Sequence, residues 1–291
     1  MLPFAQSYPK EQVLGFWGDI TSTIDWCEEN YVVSDYIAEF VNTVTNSIFI
    51  MLASFAVVHT YLNHLEIRFV FTGLGFLLVG VGSWLFHMTL QYHFQLLDEL
   101  PMIYATCIPF WSVFSEFQNT KSSWFIGLGI FMAANLLTSI YLFVLRDPTL
   151  HQAAYGILNF SIIVKSFLLS KKYVKDDKAK QNLDSTMIRG VGLFLFGYFL
   201  WNVDIHFCSN LRSMRRAVGI PYGFILEGHG WWHIFTGLGV YHYLIYEEYL
   251  RCFLIGEEKF FKFESFIGLP IVVCHDEKGL KKFRASKQKI D

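Results

Sequence analysis

The stretch His229-Gly230-Trp231-Trp232-His233 places two imidazoles at i and i+4, on one side of a helix. That spacing lets both grip a single metal ion. A third nitrogen from His87 would complete three protein ligands and leave one position open, which is the layout of a catalytic rather than a closed structural zinc site. Zinc held that way lowers the pKa of water and polarises a carbonyl. A metalloprotease motif carries a Glu directly after its first His; here that position is Gly230, so the base must come from elsewhere. Asp98 is the candidate base. Ser83, one turn before His87, is placed to donate to an oxyanion or to hold the zinc water. The other histidines (His59, His64, His93, His151, His206, His242 and His275) are read as packing or hydrogen-bonding residues, with His206 and Asp204 as one further candidate supporting pair.

These residues need elements that bring them to one level. The chain of 291 residues is 53% hydrophobic, 18% aromatic and only 16% charged, against about 25% charged in a soluble domain. The charges cluster, and seven apolar stretches lie between them, each near the roughly 20 residues that cross a bilayer. They run over Ile37–Thr60, Ile67–Met88, Leu96–Phe117, Trp124–Val144, His151–Leu169, Met187–Cys208 and Glu227–Leu250. The fold predicted is an all-α integral membrane protein, a seven-helix transmembrane bundle with an intramembrane zinc site. An even-numbered span ends on the side where an odd-numbered one begins. His87 near the end of the second, Asp98 at the start of the third, and His229 and His233 near the start of the seventh therefore share one membrane face. Polar groups in membrane helices are costly, which marks these as functional.

Lys and Arg set the orientation. The fifth-to-sixth loop carries five lysines between Lys171 and Lys180, and residues 251–291 form a basic tail, both predicted cytosolic. The N-terminal segment, residues 1–36, would face the lumen, and residues 37–250 would form the catalytic bundle. Arg212, Arg215 and Arg216 between the sixth and seventh spans oppose this orientation. Met1–Lys10 does not read as a cleaved signal peptide, so the first span would direct insertion. The ending Lys287-Gln288-Lys289-Ile290-Asp291 is similar to a dilysine retrieval signal of the endoplasmic reticulum, or else an ordinary solvated tail. The moderately apolar segment Phe260–Cys274 is expected on the membrane surface.

Ahead of the first span, Asp25, Glu28, Asn30, Asp35 and Glu39 alternate carboxylates with an amide oxygen, which suits a hard cation such as calcium or simply a solvated acidic segment. The spacing and the missing Gly exclude an EF-hand. Cys107, Cys252 and Cys274 are expected free. Cys27 and Cys208 both fall on the lumenal side, where a disulfide can persist, but spacing does not prove the pairing. The net charge of -2 comes with no basic stripe, so nucleic acid is not an expected partner.

Four runs in order, Asp25-Trp26-Cys27-Glu28-Glu29-Asn30-Tyr31, Gly82-Ser83-Trp84-Leu85-Phe86-His87, Gln95-Leu96-Leu97-Asp98-Glu99-Leu100-Pro101-Met102 and Glu227-Gly228-His229-Gly230-Trp231-Trp232-His233, resemble the alkaline ceramidase family. The likeness extends from Trp17 to about Leu250, and its detail is similar to fungal members that favour phytoceramide or dihydroceramide. The resemblance implies a seven-helix fold related to adiponectin receptors and hydrolysis of ceramide to a sphingoid base and a fatty acid. It implies zinc on His87, His229 and His233, with Ser83 and Asp98 catalytic. It implies calcium on Asp25, Trp26 (through its backbone carbonyl), Glu28, Asn30 and Glu39, and a Cys27–Cys208 disulfide. The competing expectations are a non-enzymatic receptor with the same fold and a transporter using the polar residues as a pathway. The residues do not specify the acyl chain, the sphingoid base or the oligomeric state.

Overall fold

A computed structural model describes residues 2–9, 13–145 and 147–287. Each apolar stretch marked in the sequence coincides with a long helix: α1 Phe40–Leu62, α2 Ile67–Thr89, α3 Tyr92–Phe114, α4 Thr120–Ile140, α5 Pro148–Tyr173, α6 Asp177–His206 and, after a short α7, α8 Gly228–Leu254. A wider turn over Tyr141–Leu145 continues α4. Five of the helices, α1, α2, α4 (with its extension), α5 and α6, are long and apolar enough to cross a membrane. The helices α3 and α8 have 23 and 27 residues, but site residues dilute their apolar character. Side chains such as Phe71, Phe125, Phe131, Phe160, Ile188 and Phe199 point outward from the bundle, the apolar surface a bilayer would cover.

Local sequence explains the helix starts. Asn119 accepts a hydrogen bond from Ser122 N, Asp147 from Thr149 N and Asp176 from Ala179 N, each satisfying an orphan N–H of a first turn. Pro148 occupies the first position of α5, where its missing N–H costs nothing. The α8 helix is central and packs on α1, α2, α5 and α6. The α1 start is capped from a distance: the carboxyl oxygens of Glu28 accept from Val41 N at 2.7 Å and Asn42 N at 2.9 Å, satisfying two orphan N–H groups of the first turn.

Two regions differ from the sequence reading. The sixth span was expected to reach Cys208, but the chain breaks after His206, and Cys208 opens α7, Cys208–Val218. This short amphipathic helix lies across the bundle end. Its Arg215 is fully buried against Glu227 at 3.1 Å, Glu29 at 3.5 Å and Asp204 at 3.6 Å, and Arg216 pairs with Glu29 at 2.8 Å. These arginines are neutralised within the protein, so they carry little of the free charge that opposed the predicted orientation. After α8, Phe261–Phe266 (β1) and Leu269–Cys274 (β2) form an antiparallel hairpin. The strand β2 packs on α8, where Tyr241 Oη donates to the carbonyl of Pro270 at 2.9 Å, and Phe266 stacks on Phe55 of α1. A last helix α9, Glu277–Lys287, is tied back by Arg284 to Glu257 and to the carbonyl of His64. The retrieval-like ending after Lys287 lies outside the described residues.

Candidate metal centre

The first two site residues come from adjacent turns of α2, because Ser83 and His87 are one turn apart and both are buried. The third helix meets α2 closely at this level for a reason written in the sequence. Pro101 has no N–H, so the carbonyl of Leu97 is left without its helical partner. That carbonyl lies against Gly82, where any Cβ would come within 2.1 Å of it. The missing side chain lets the two helices touch and sets Asp98 beside the Ser83 hydroxyl. Asn46 of α1 in turn donates its amide N–H to Ser83 Oγ at 3.0 Å.

His229 and His233 come from the first turns of α8, on the face turned to α1 and α2. Gly230 between them lets α8 approach α1, since a Cβ there would sit 2.8 Å from Val41. The start of α8 is held by Asp204, whose carboxylate accepts from Gly228 N at 3.0 Å. His206, the other half of the candidate supporting pair, is exposed and takes no part.

The three imidazoles converge. Their ring centroids are 5.0 Å (His87–His229), 4.8 Å (His87–His233) and 4.7 Å (His229–His233) apart, at 1–4% exposure. A ligand nitrogen of each lies within 4.8 Å of the others, and among the described residues this is the one group of three or more His, Cys, Asp or Glu so gathered. Asp98 is outside it and touches Ser83 instead.

The outer nitrogens are engaged by residues that the sequence reading did not assign to that task. Glu39 bonds to His87 Nδ1. Thr45 Oγ1 lies 3.0 Å and Asn46 Nδ2 3.3 Å from His233 Nδ1. The Nδ1 of His229 is buried with no protein partner, and Trp26 packs tilted on that ring at 4.5 Å. Three enclosed imidazoles, each with at least one ring nitrogen left over, suit a divalent metal better than any set of mutual hydrogen bonds.

The N-terminal segment lies over this end of the bundle. Ala38 N and Glu39 N donate to the carbonyls of Met88 and His87, closing the end of α2 beside the site. Cys27 and Cys208 form a disulfide with Cα atoms 5.4 Å apart, so the pairing left open by spacing is made. Of the residues assigned to calcium, Asn30 Nδ2 donates to Asp25 at 3.2 Å while its Oδ1 is buried without a partner. The carbonyl of Trp26 accepts from Arg212 at 3.3 Å, and Glu39 accepts from Trp26 N at 3.2 Å. Burial and the nearby charge of Glu39 push the Glu28 carboxyl above the usual carboxylate range.

Fold and site together define a helical protein with helices long and apolar enough to cross a membrane and, at one end, a buried three-histidine cluster that could hold a metal ion. The Ceramidase family model matches residues 18–273, and the chain belongs to that family. It is 47% identical over 261 residues to alkaline ceramidase YPC1 of Saccharomyces cerevisiae, covering 85% of this chain and 82% of the relative. It is 42% identical over 245 residues to alkaline ceramidase 3 of Mus musculus (81% and 86%) and 29% identical over 230 residues to alkaline ceramidase of Arabidopsis thaliana (79% and 84%).

Proposed function

We propose that the protein is a zinc-dependent amide hydrolase that cleaves ceramide, phytoceramide or dihydroceramide among them, to a sphingoid base and a free fatty acid. The observation that carries this reading is the meeting of His87, His229 and His233 within 4.8 Å in a buried pocket beside Ser83 and Asp98. When bound, zinc supplies Lewis acidity, drawing charge from the amide carbonyl and making water a stronger acid.

The protein's own groups do the rest. Glu39 occupies Nδ1 of His87 and leaves Nε2 as the ligand nitrogen; Thr45 Oγ1, accepting from Nδ1, likewise orients His233. Asp98 accepts the proton of the attacking water and passes it to the leaving nitrogen. Once Asp98 carries that proton, Ser83, steered by Asn46, turns its single O–H toward the oxygen on which negative charge grows. The N-terminal segment covers the pocket from water. A substrate with two long chains stays in the bilayer, since moving them into water would cost about 0.8 kcal/mol per CH₂.

In the same reading all seven long helices cross the endoplasmic reticulum membrane, with the N-terminus lumenal and the chain after α8 cytosolic. Calcium joins Asp25, the Trp26 carbonyl, Glu28, Asn30 and Glu39. The partnerless Asn30 Oδ1 and the mutual repulsion of buried carboxylates support a cation there. Each carboxylate oxygen that accepts a backbone N–H keeps a second lone pair for it.

The test is metal analysis and hydrolysis of a ceramide panel on one purified sample. Zinc is expected at about one ion per chain, with hydrolysis abolished by a chelator and restored by zinc. A His233→Ala protein that folds and hydrolyses at the full rate would overturn the assignment. Zinc binding without hydrolysis of any ceramide would favour the receptor, and zinc-independent flux across sealed vesicles the transporter.

A further inference from the structure

At the opposite end of the bundle, two adjoining hollows share Trp111, Thr120 and Trp124. One, of about 520 Å³, is polar and is lined by Arg68, Arg251, Lys287, Ser115 and Gln118. The other, of about 770 Å³, is an apolar groove along α3 and α4, lined by Phe125, Leu128 and Phe131. Arg68 lies 19 positions before His87 on α2, so the two are about 28 Å apart along the helix. These hollows are therefore separate from the metal centre.

The charges in the polar hollow are unevenly satisfied. Arg251 is consumed: its Nε and Nη2 hold Glu66 at 2.6 and 3.1 Å, and its Nη1 holds Glu116 at 2.5 Å. Arg68 meets Glu66 at 3.3 Å through Nε and donates to Ser112 at 2.9 Å through Nη1, which leaves Nη2 without a partner among the described residues. Its side chain is 34% exposed. Among the described residues the ammonium of Lys287 has only the carbonyl of Ile255, at 3.3 Å. Lys121 stands at the groove. With Arg68 and Arg251 set against Glu66 and Glu116, the ammonium groups of Lys121 and Lys287 remain, among the described residues, as unbalanced positive charge beside a groove whose Phe125, Leu128 and Phe131 are more than half exposed. Trp111 and Trp124 mark the boundary between the polar and apolar parts, as interfacial tryptophans do.

We propose that this is a binding site for an anionic phospholipid, with its phosphate headgroup on Arg68 and Lys287 and an acyl chain in the α3–α4 groove. A zwitterionic choline headgroup would set its own cation against Lys287 and the open Nη2 of Arg68, whereas a phosphomonoester satisfies both. The positive-inside argument puts this end in the leaflet that carries anionic lipid. The proposal rests on the bundle lying in a bilayer, not on the metal chemistry.

The experiment is native mass spectrometry of the full chain in detergent with dioleoyl phosphatidic acid or phosphatidylcholine added. Phosphatidic acid is expected to be retained in preference to phosphatidylcholine. Arg68→Ala with Lys287→Ala should weaken that retention about thirtyfold, each cation contributing about fivefold. Leu128→Trp, which fills the groove and changes no charge, should also weaken it and decides the matter if the double variant does not fold. Ceramide hydrolysis should be unchanged in all of them. Equal retention of the two lipids, or undiminished retention by the variants, overturns the proposal. Competition by millimolar glycerol phosphate would also overturn it, because the groove would then contribute nothing.

Discussion

Glu39 and His87, 48 residues apart in sequence, meet in a hydrogen bond between Oε2 and Nδ1 with both side chains at 0–1% exposure. The other oxygen of Glu39 accepts the backbone N–H of Trp26. One carboxylate thus joins the acidic N-terminal segment to a candidate metal ligand. Its partner orients the imidazole and makes it a better donor.

Glu39→Gln is expected to lower zinc affinity by about 10- to 100-fold, the usual effect of losing a supporting carboxylate behind a ligating His. Competition titration with a chromophoric chelator measures it. Glu28→Gln touches the acidic segment but not His87 and should leave zinc affinity unaltered. Equal affinities in wild type and Glu39→Gln would remove the link.

Asp98 stands outside the histidine group and contacts Ser83. Asp98→Asn should therefore keep bound metal and lose hydrolysis, with kcat falling by about 10²- to 10⁴-fold. Ser83→Ala should cost about 10²- to 10³-fold in kcat. Turnover and metal content on the same preparations test both, and a lost metal in Asp98→Asn would reassign that residue as a ligand.

Gly82→Ala forces a methyl group to within 2.1 Å of the Leu97 carbonyl, which is backbone and cannot swing away. The helices α2 and α3 must separate, at about 1–3 kcal/mol by analogy with overpacked cores, and Ser83 must leave Asp98. A lower melting temperature together with reduced kcat is expected. A variant that melts and turns over as wild type does would show that the close approach is not needed.

Arg215 is fully buried and faces Glu29, Asp204 and Glu227, and Asp204 holds the start of α8. Arg215→Met leaves those carboxylates without their cation. The cost is about 3–5 kcal/mol, typical of breaking a buried ion pair from one side. Melting in detergent checks it; a shift of less than a degree or two would show the charges to be otherwise compensated.

Parts of the site were legible because they are local. The i, i+4 spacing of His229 and His233, the single turn between Ser83 and His87, and the alternation of helix direction all follow from helix geometry and bilayer length, and they placed these groups with Asp98 at one level. The seven long helices were legible for the same reason, since an apolar run of about 20 residues has few other stable states.

Other features depend on contacts between distant segments, which no periodicity encodes. Glu39 was readable as part of an acidic cluster but not as the partner of His87. Thr45 and Asn46 looked like ordinary polar residues of the first span. Arg215 read as a surface cation, and α7 was too short and too polar to signal a helix. The hairpin after α8 depends on Tyr241 reaching Pro270 across 29 residues. Sequence thus determined which polar groups meet at one end of the bundle, because level follows from counting residues along helices. Tertiary packing decided which nitrogen of His87 and of His233 is engaged and by what, because those bonds form only once α1, α2 and α8 are pressed together at their glycines.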